Sequence, residues 1–241
     1  MVRIISNDFN QLKDYINNYS LTSVCKAPLY LSQLSRLHKR YFALLTFIAE
    51  LETDDFAFAV TTYGLDGPSK LKLTNYTKEA ISDLGNALFN WIHGAYKSSR
   101  LLMRSCVENI VRGLSTLEDT SISEITVTHE LFEAASKLSI FTTGSAKGTM
   151  QDLKGNYTEL CKDVHTADVI NMEHITALIH FPAFDSEKAS KTSEIYASVA
   201  QQCLILLSLC FRKFIFSMHS SNTDTILLNL PKALKAEVHN P

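Results

Sequence analysis

The chain reads as an all-α protein, a single helical bundle, on three observations. Glycine and proline are scarce, at 8 and 5 of 241 residues, about half their usual combined share of roughly 12%. Apolar residues recur at spacings of three and four over long stretches without a helix breaker, as one buried helical face requires. No internal repeat, low-complexity tract or long linker divides the sequence, so residues 1–241 read as one domain.

Residues 8–19 and 31–52 have helical spacing, the second through Leu34, Leu37, Tyr41, Leu44, Leu45 and Ile48. Residues Phe56 to Tyr63, the Gly64-Leu-Asp-Gly-Pro68 turn and Lys70 to Leu73 fit a minor β-hairpin over residues 56–73. They fit a helix extension with a structured loop equally well. Thr77 to Leu117 carries the strongest periodicity: Leu84, Leu88, Trp91, Ala95, Leu102, Cys106, Ile110 and Leu114 share one arc. This predicts one long helix, or two nearly collinear ones, as the spine of the fold. Residues 118–127 form a polar connector, 128–139 and 149–164 shorter helices, and 142–149 a loop between those two. A helix from Met172 ends at Pro182, a second long central helix runs from Ser186 to His219, and a last one from Thr223 is interrupted by Pro231.

Bulk properties narrow the function classes. Lys and Arg number 23 against 25 Asp and Glu, a formal net charge of −2, so the chain has no general basic field for a nucleic-acid backbone. The N-terminal residues lack the apolar core of a signal peptide. The longest apolar run, Cys203 to Phe211, stops at Arg212 and Lys213, too short on its own to span a bilayer. Cys25, Cys106, Cys161, Cys203 and Cys210 form no C-x-x-C pair, which argues against a disulfide framework and a thiolate zinc site. These features predict a cytoplasmic protein without membrane contact, and the sequons at Asn18, Asn75 and Asn156 then carry no weight.

On the predicted spine, Arg100, Arg104, Glu108 and Arg112 follow one another at i+4, with His93 and Lys97 on the same side. The simplest expectation is a solvated face with an i,i+4 ion pair. Leu101 and Val111 share that side, which points instead to a covered, partly sheltered polar site. Lys97, Arg100 and Arg112 are the candidates for nucleic-acid contact.

The stretch Arg104-Ser105-Cys106-Val107-Glu108, followed by Tyr157, Leu160 and His165, resembles the Arg-Ser-x-x-Glu helix and Tyr-x-x-Leu-Ser-x-x-x-His segment of HEPN-like and abortive-infection-type bacterial helical proteins. Cys161 stands where that pattern has Ser. The resemblance covers about a third of the chain through short motifs. It implies a helical effector of bacterial antiphage or toxin-type defence, acting as a homodimer or with a protein partner, with RNA as a possible substrate and no cofactor. Its active members use an Arg-x(4–6)-His pair for metal-independent RNA cleavage, a pattern that Arg212 and His219 satisfy. Lys213 departs from the small polar residue common beside that arginine. On a continuous helix the two side chains would share a face about 10 Å apart along the axis, with the guanidinium steadying phosphate charge and the imidazole moving a proton. The plainer alternative makes Arg212 a snorkelling side chain and His219 a helix-end cap.

His165 is expected to join Arg104 and Glu108 in one polar network. A metal cluster of Asp163, His165, Asp168, Glu173, His174 and His180 matches no recognised ligand spacing, so none is assigned. Gly144 to Thr149 lacks the order of a Walker loop, and no triad signature appears. Two function classes beyond the nuclease reading stay open: a non-catalytic helical subunit or antitoxin-like partner, and a helical DNA-binding accessory protein.

Overall fold

A computed structural model describes residues 2–51, 53–163 and 177–239. Every regular element among them is helical: α1 Val2–Asn18, α2 Thr22–Cys25, α3 Tyr30–Ala49, α4 Asp54–Thr61, α5 Gly67–His93, α6 Tyr96–Ser115, α7 Thr128–Ala135, α8 Ser139–Thr142, α9 Ser145–Cys161, α10 Ser186–Cys210, α11 Arg212–Ser217, α12 Ser220–Asn229 and α13 Lys232–His239, with short 3-10 turns at Thr120–Glu124 and Leu178–His180.

The hairpin expected over residues 56–73 is absent. Thr53 starts α4 by accepting a hydrogen bond from the Phe56 amide, and Asp66 starts α5 by accepting one from the Ser69 amide. The Asp-Gly-Pro sequence is thus a helix N-cap with proline in the first turn. Lys70 to Leu73 alternates only because a helix start places Leu73 in the core while Leu71 faces solvent.

The spine does not run straight. Gly94 adopts φ +85°, a left-handed conformation that closes α5, and the Ala95 amide bonds back to the Asn90 carbonyl. α6 then folds back along α5 as an antiparallel hairpin, which pairs Asp83 with Asn109 and brings Gly113 against Tyr76 and Thr77. The periodicity gave no sign of the reversal because both arms bury the expected arc: Leu84, Trp91, Cys106, Ile110 and Leu114 are fully enclosed.

α10 lies at the centre. Trp91 of α5 donates to its Ala189 carbonyl at 3.1 Å, Gln33 and Arg36 of α3 donate to Ser190 and Ser193, and Asn156 of α9 donates to Ser198 and Gln202. It is the one described helix long and apolar enough to cross a membrane, but its apolar residues, among them Val199, Cys203 and Leu206, are spent inside the bundle. The expected continuation to His219 fails at Phe211, with φ −117° and ψ 40°. Phe211 and Phe214 turn into an aromatic cluster with Phe47 and Phe56, and the Tyr63 hydroxyl takes the Cys210 carbonyl at 2.5 Å.

The segment 142–149 is largely helical, since α9 begins at Ser145 after Gly144 turns the chain. Pro231 separates α12 from α13. Of the helix expected from Met172 to Pro182, residues 172–176 lie outside the described residues, and the rest holds only the 3-10 turn Leu178–His180.

Gly94 has a direct test. A Cβ there would be forced into the Ala183 carbonyl while the backbone stayed left-handed. Gly94→Ala is expected to cost about 2–4 kcal/mol in urea unfolding, combining conformational strain with that clash. A loss below about 0.5 kcal/mol, the range of neutral surface changes, would contradict the fold-back geometry.

Candidate functional site

α6 and α9 are clasped by charged and polar side chains. Arg100 of α6 is only 6% exposed and donates through Nε to the Asp163 carboxylate at 2.5 Å, with its Nη2 at 3.8 Å from Glu159. Lys162 and Lys191 also reach Glu159, and the Lys162 hydrogen bond leads in holding its carboxyl below the usual range. One turn along α6, Arg104 donates to the Tyr157 hydroxyl at 2.7 Å and pairs with Glu108 at 3.0 Å, while Tyr157 donates to Glu108 at 2.9 Å. The Arg104 guanidinium also stands over the Tyr157 ring.

Electrostatics keep each member of this triangle in one state. Burial, chiefly, pushes Tyr157 up to about 12, with Glu108 adding to the effect, so the phenol retains its proton as a donor. Burial alone disfavours the Arg104 cation, but the neighbouring Cys161, Glu108 and Tyr157 more than offset it and raise its pKa. The structure therefore joins Arg104 and Glu108 to Tyr157, the first residue of the second motif. His165 lies outside the described residues, as do Asp168, Glu173 and His174.

The row proposed for nucleic-acid contact does not present itself as a row. Arg100 is buried against carboxylates. Arg112 donates to the Ser123 carbonyl at 3.0 Å and to that of Ile125, strapping the following connector onto α6. Lys97 is half-buried. His93 belongs to α5, where it stacks on Tyr19 and bonds to the Phe89 carbonyl. Val111, expected on the same side, is fully enclosed.

Arg212 and His219 do not share a helix. α11 ends at Ser217 and Met218 is extended, so the face geometry inferred from their spacing does not arise. Arg212 pairs with Glu237 of α13 at 3.4 Å. His219 caps α12, its Nδ1 accepting from the Ser221 amide at 3.3 Å. This is a cap at the start of the next helix, in place of the C-terminal cap foreseen for the preceding one. Among the described residues, no group of three or more His, Cys, Asp and Glu side chains is arranged to hold a metal ion.

Asp83 was invisible to sequence reasoning. It is 6% exposed on α5 and accepts from Asn109 of α6 at 3.0 Å, with Ser105 as a second partner. Burial raises its pKa, and the two hydrogen bonds oppose that shift. Beneath this layer, the Cys106 and Cys203 sulfurs lie 3.9 Å apart as buried free thiols. The i,i+4 spacing of Ser105 and Asn109 becomes informative only once α6 is known to fold back on α5. No protein-family model, curated protein or solved structure matches this chain.

Two outcomes follow from these polar contacts. Tyr157→Phe removes one acceptor from Arg104 and one donor from Glu108, and is expected to lower unfolding stability by about 1–3 kcal/mol; no change would mean that the triangle holds nothing in place. The folded Asp83 carboxyl keeps its proton more tightly than an unfolded one, so its stabilising contribution is present at low pH and lost as pH rises through the raised value. Asp83→Asn, which mimics the protonated form, should therefore gain stability relative to the wild type between about pH 4 and pH 7. An advantage that shrinks over that range would contradict the assignment.

Proposed function

We propose that this chain is a non-catalytic binding module, a HEPN-like helical protein of the bacterial-defence type that works through a protein partner. The defence context rests on the resemblance of Arg104 to Glu108 and Tyr157 to His165 alone. The observation that carries the non-catalytic reading is the employment of the candidate charges. Arg100, Arg104 and Arg112 each bind a protein acceptor, and His219 caps a helix.

A groove between α1 and α5 supplies the surface. It encloses about 550 Å³ and is lined by Tyr15, Ile16, Tyr19, Phe89, His93 and Phe181 among others. Ile16 and Phe89 are each 61% exposed. Among the described residues, no carboxylate, lysine or arginine lines it, so the group that fits is an uncharged, apolar segment of another protein.

One observation favours metal-independent RNA cleavage as the second reading. His219 is exposed and Arg212 keeps 27% of its side-chain surface in solvent, so both remain within reach of an RNA strand.

Purified protein incubated with tRNA and mRNA separates the two readings. The wild type, Arg212→Ala and His219→Ala are all expected to leave RNA intact, while a partner protein retained by the wild type is lost from Ile16→Glu and Phe89→Glu variants of unchanged thermal stability. RNA cleavage by the wild type that disappears in His219→Ala would overturn the binding reading, as would retention of that partner by both groove variants.

A further inference from the structure

We propose that the break between α10 and α11 forms a binding site for a medium-chain fatty carboxylate. Where α10 stops at Phe211, a half-open pocket of about 390 Å³ lies between the end of α4 and the start of α11, within the usual range for small-ligand sites. Ala59, Leu209, Phe211 and Phe214 give it apolar walls, and Arg212 and Lys213 bring two cations to its lining.

The remaining polar groups in the walls are neutral. Tyr63 donates its hydroxyl proton to the Cys210 carbonyl, and burial leads in pushing both the Tyr63 phenol and the Cys210 thiol up to about 12. Among the described residues, no carboxylate lines the pocket. Of the acidic residues nearby, Glu118 accepts from the Ser139 and Ile140 amides, and Glu237 partly neutralises Arg212 through one long contact at 3.4 Å. A guanidinium carries five N–H donors, so that single contact leaves Arg212 donors for a second anion.

An apolar cavity with two cations in its lining selects a molecule with a hydrocarbon body and a single anionic head. A carboxylate matches the planar fork of an arginine, and burying the chain against aromatic and aliphatic walls supplies the affinity. The site exists because the helix breaks: a continuous α10 would carry Arg212 and Lys213 around its axis and leave no gap beside Tyr63. This inference is independent of the α1–α5 groove and of any partner protein.

Isothermal titration of the full chain with decanoate, below its micellar concentration, tests the site. Saturable binding of one molecule is expected, at least about tenfold tighter than decanol, which shares the chain and lacks the charge. Lys213→Glu and Arg212→Gln should each weaken binding, and Ala59→Phe, which fills the pocket, should abolish it without lowering thermal stability. The stability measurement distinguishes a filled pocket from a misfolded chain. Equal affinity for decanol, non-saturable uptake, full binding by Ala59→Phe, or binding of decyl phosphate without decanoate would overturn the proposal.

Discussion

The contact between Arg100 and Asp163 governs how the charged side of α6 is to be understood. A guanidinium so far removed from water costs several kcal/mol to desolvate and persists only with a partner of opposite charge and satisfied hydrogen bonds. Asp163, at the end of α9, supplies that partner, and Glu159 stands one turn before it. The pair fixes α9 against α6, and with α9 in place Tyr157 falls between Arg104 and Glu108. Residues that would otherwise form a solvated stripe become the interior of a helix–helix junction. The preference for binding over catalysis follows, because cations engaged as struts are not available to a phosphate.

The second organising element is α10, which touches helices from both ends of the chain. Its hydrogen bonds to Trp91, Gln33, Arg36 and Asn156 all come from side chains on other helices, so polar groups along an apolar helix serve as registration marks for its neighbours. Where this helix breaks at Phe211, the aromatic cluster and Tyr63 hold the two halves at a fixed angle. The same break opens the pocket beside α4, while a second one, at Met218, separates Arg212 from His219.

Much of the fold was legible in the sequence because local chemistry dictates it. Few breakers meant helices, and the buried arc from Leu84 to Leu114 was correctly placed; the Asp66-Gly-Pro run reads as a turn and is a helix N-cap. The reversal at Gly94 was not legible, since two antiparallel helices can bury the same periodic stripe that a straight one would. Residues 56–63 misled for another reason: a short aromatic and β-branched run has strand propensity, and the deciding factors were the Thr53 cap and the burial of Phe56 and Val60 one turn apart. At the site, Arg104 with Glu108 was readable from i+4 spacing. The burial of Arg100 was not, because its partner lies 63 residues away, and Asp83 depends on the same fold-back that periodicity hides.

The most direct measurement is a double-mutant cycle on Arg100→Met and Asp163→Asn, read by urea unfolding at low and high salt. If the cations of α6 are internal struts, the coupling energy is at least about 2 kcal/mol and changes little between roughly 0.05 and 0.5 M NaCl, since a buried pair is poorly screened. A coupling below about 0.5 kcal/mol, or one that fades with salt as exposed pairs do, would contradict the account and return α6 to the surface as a charged face open to ligands.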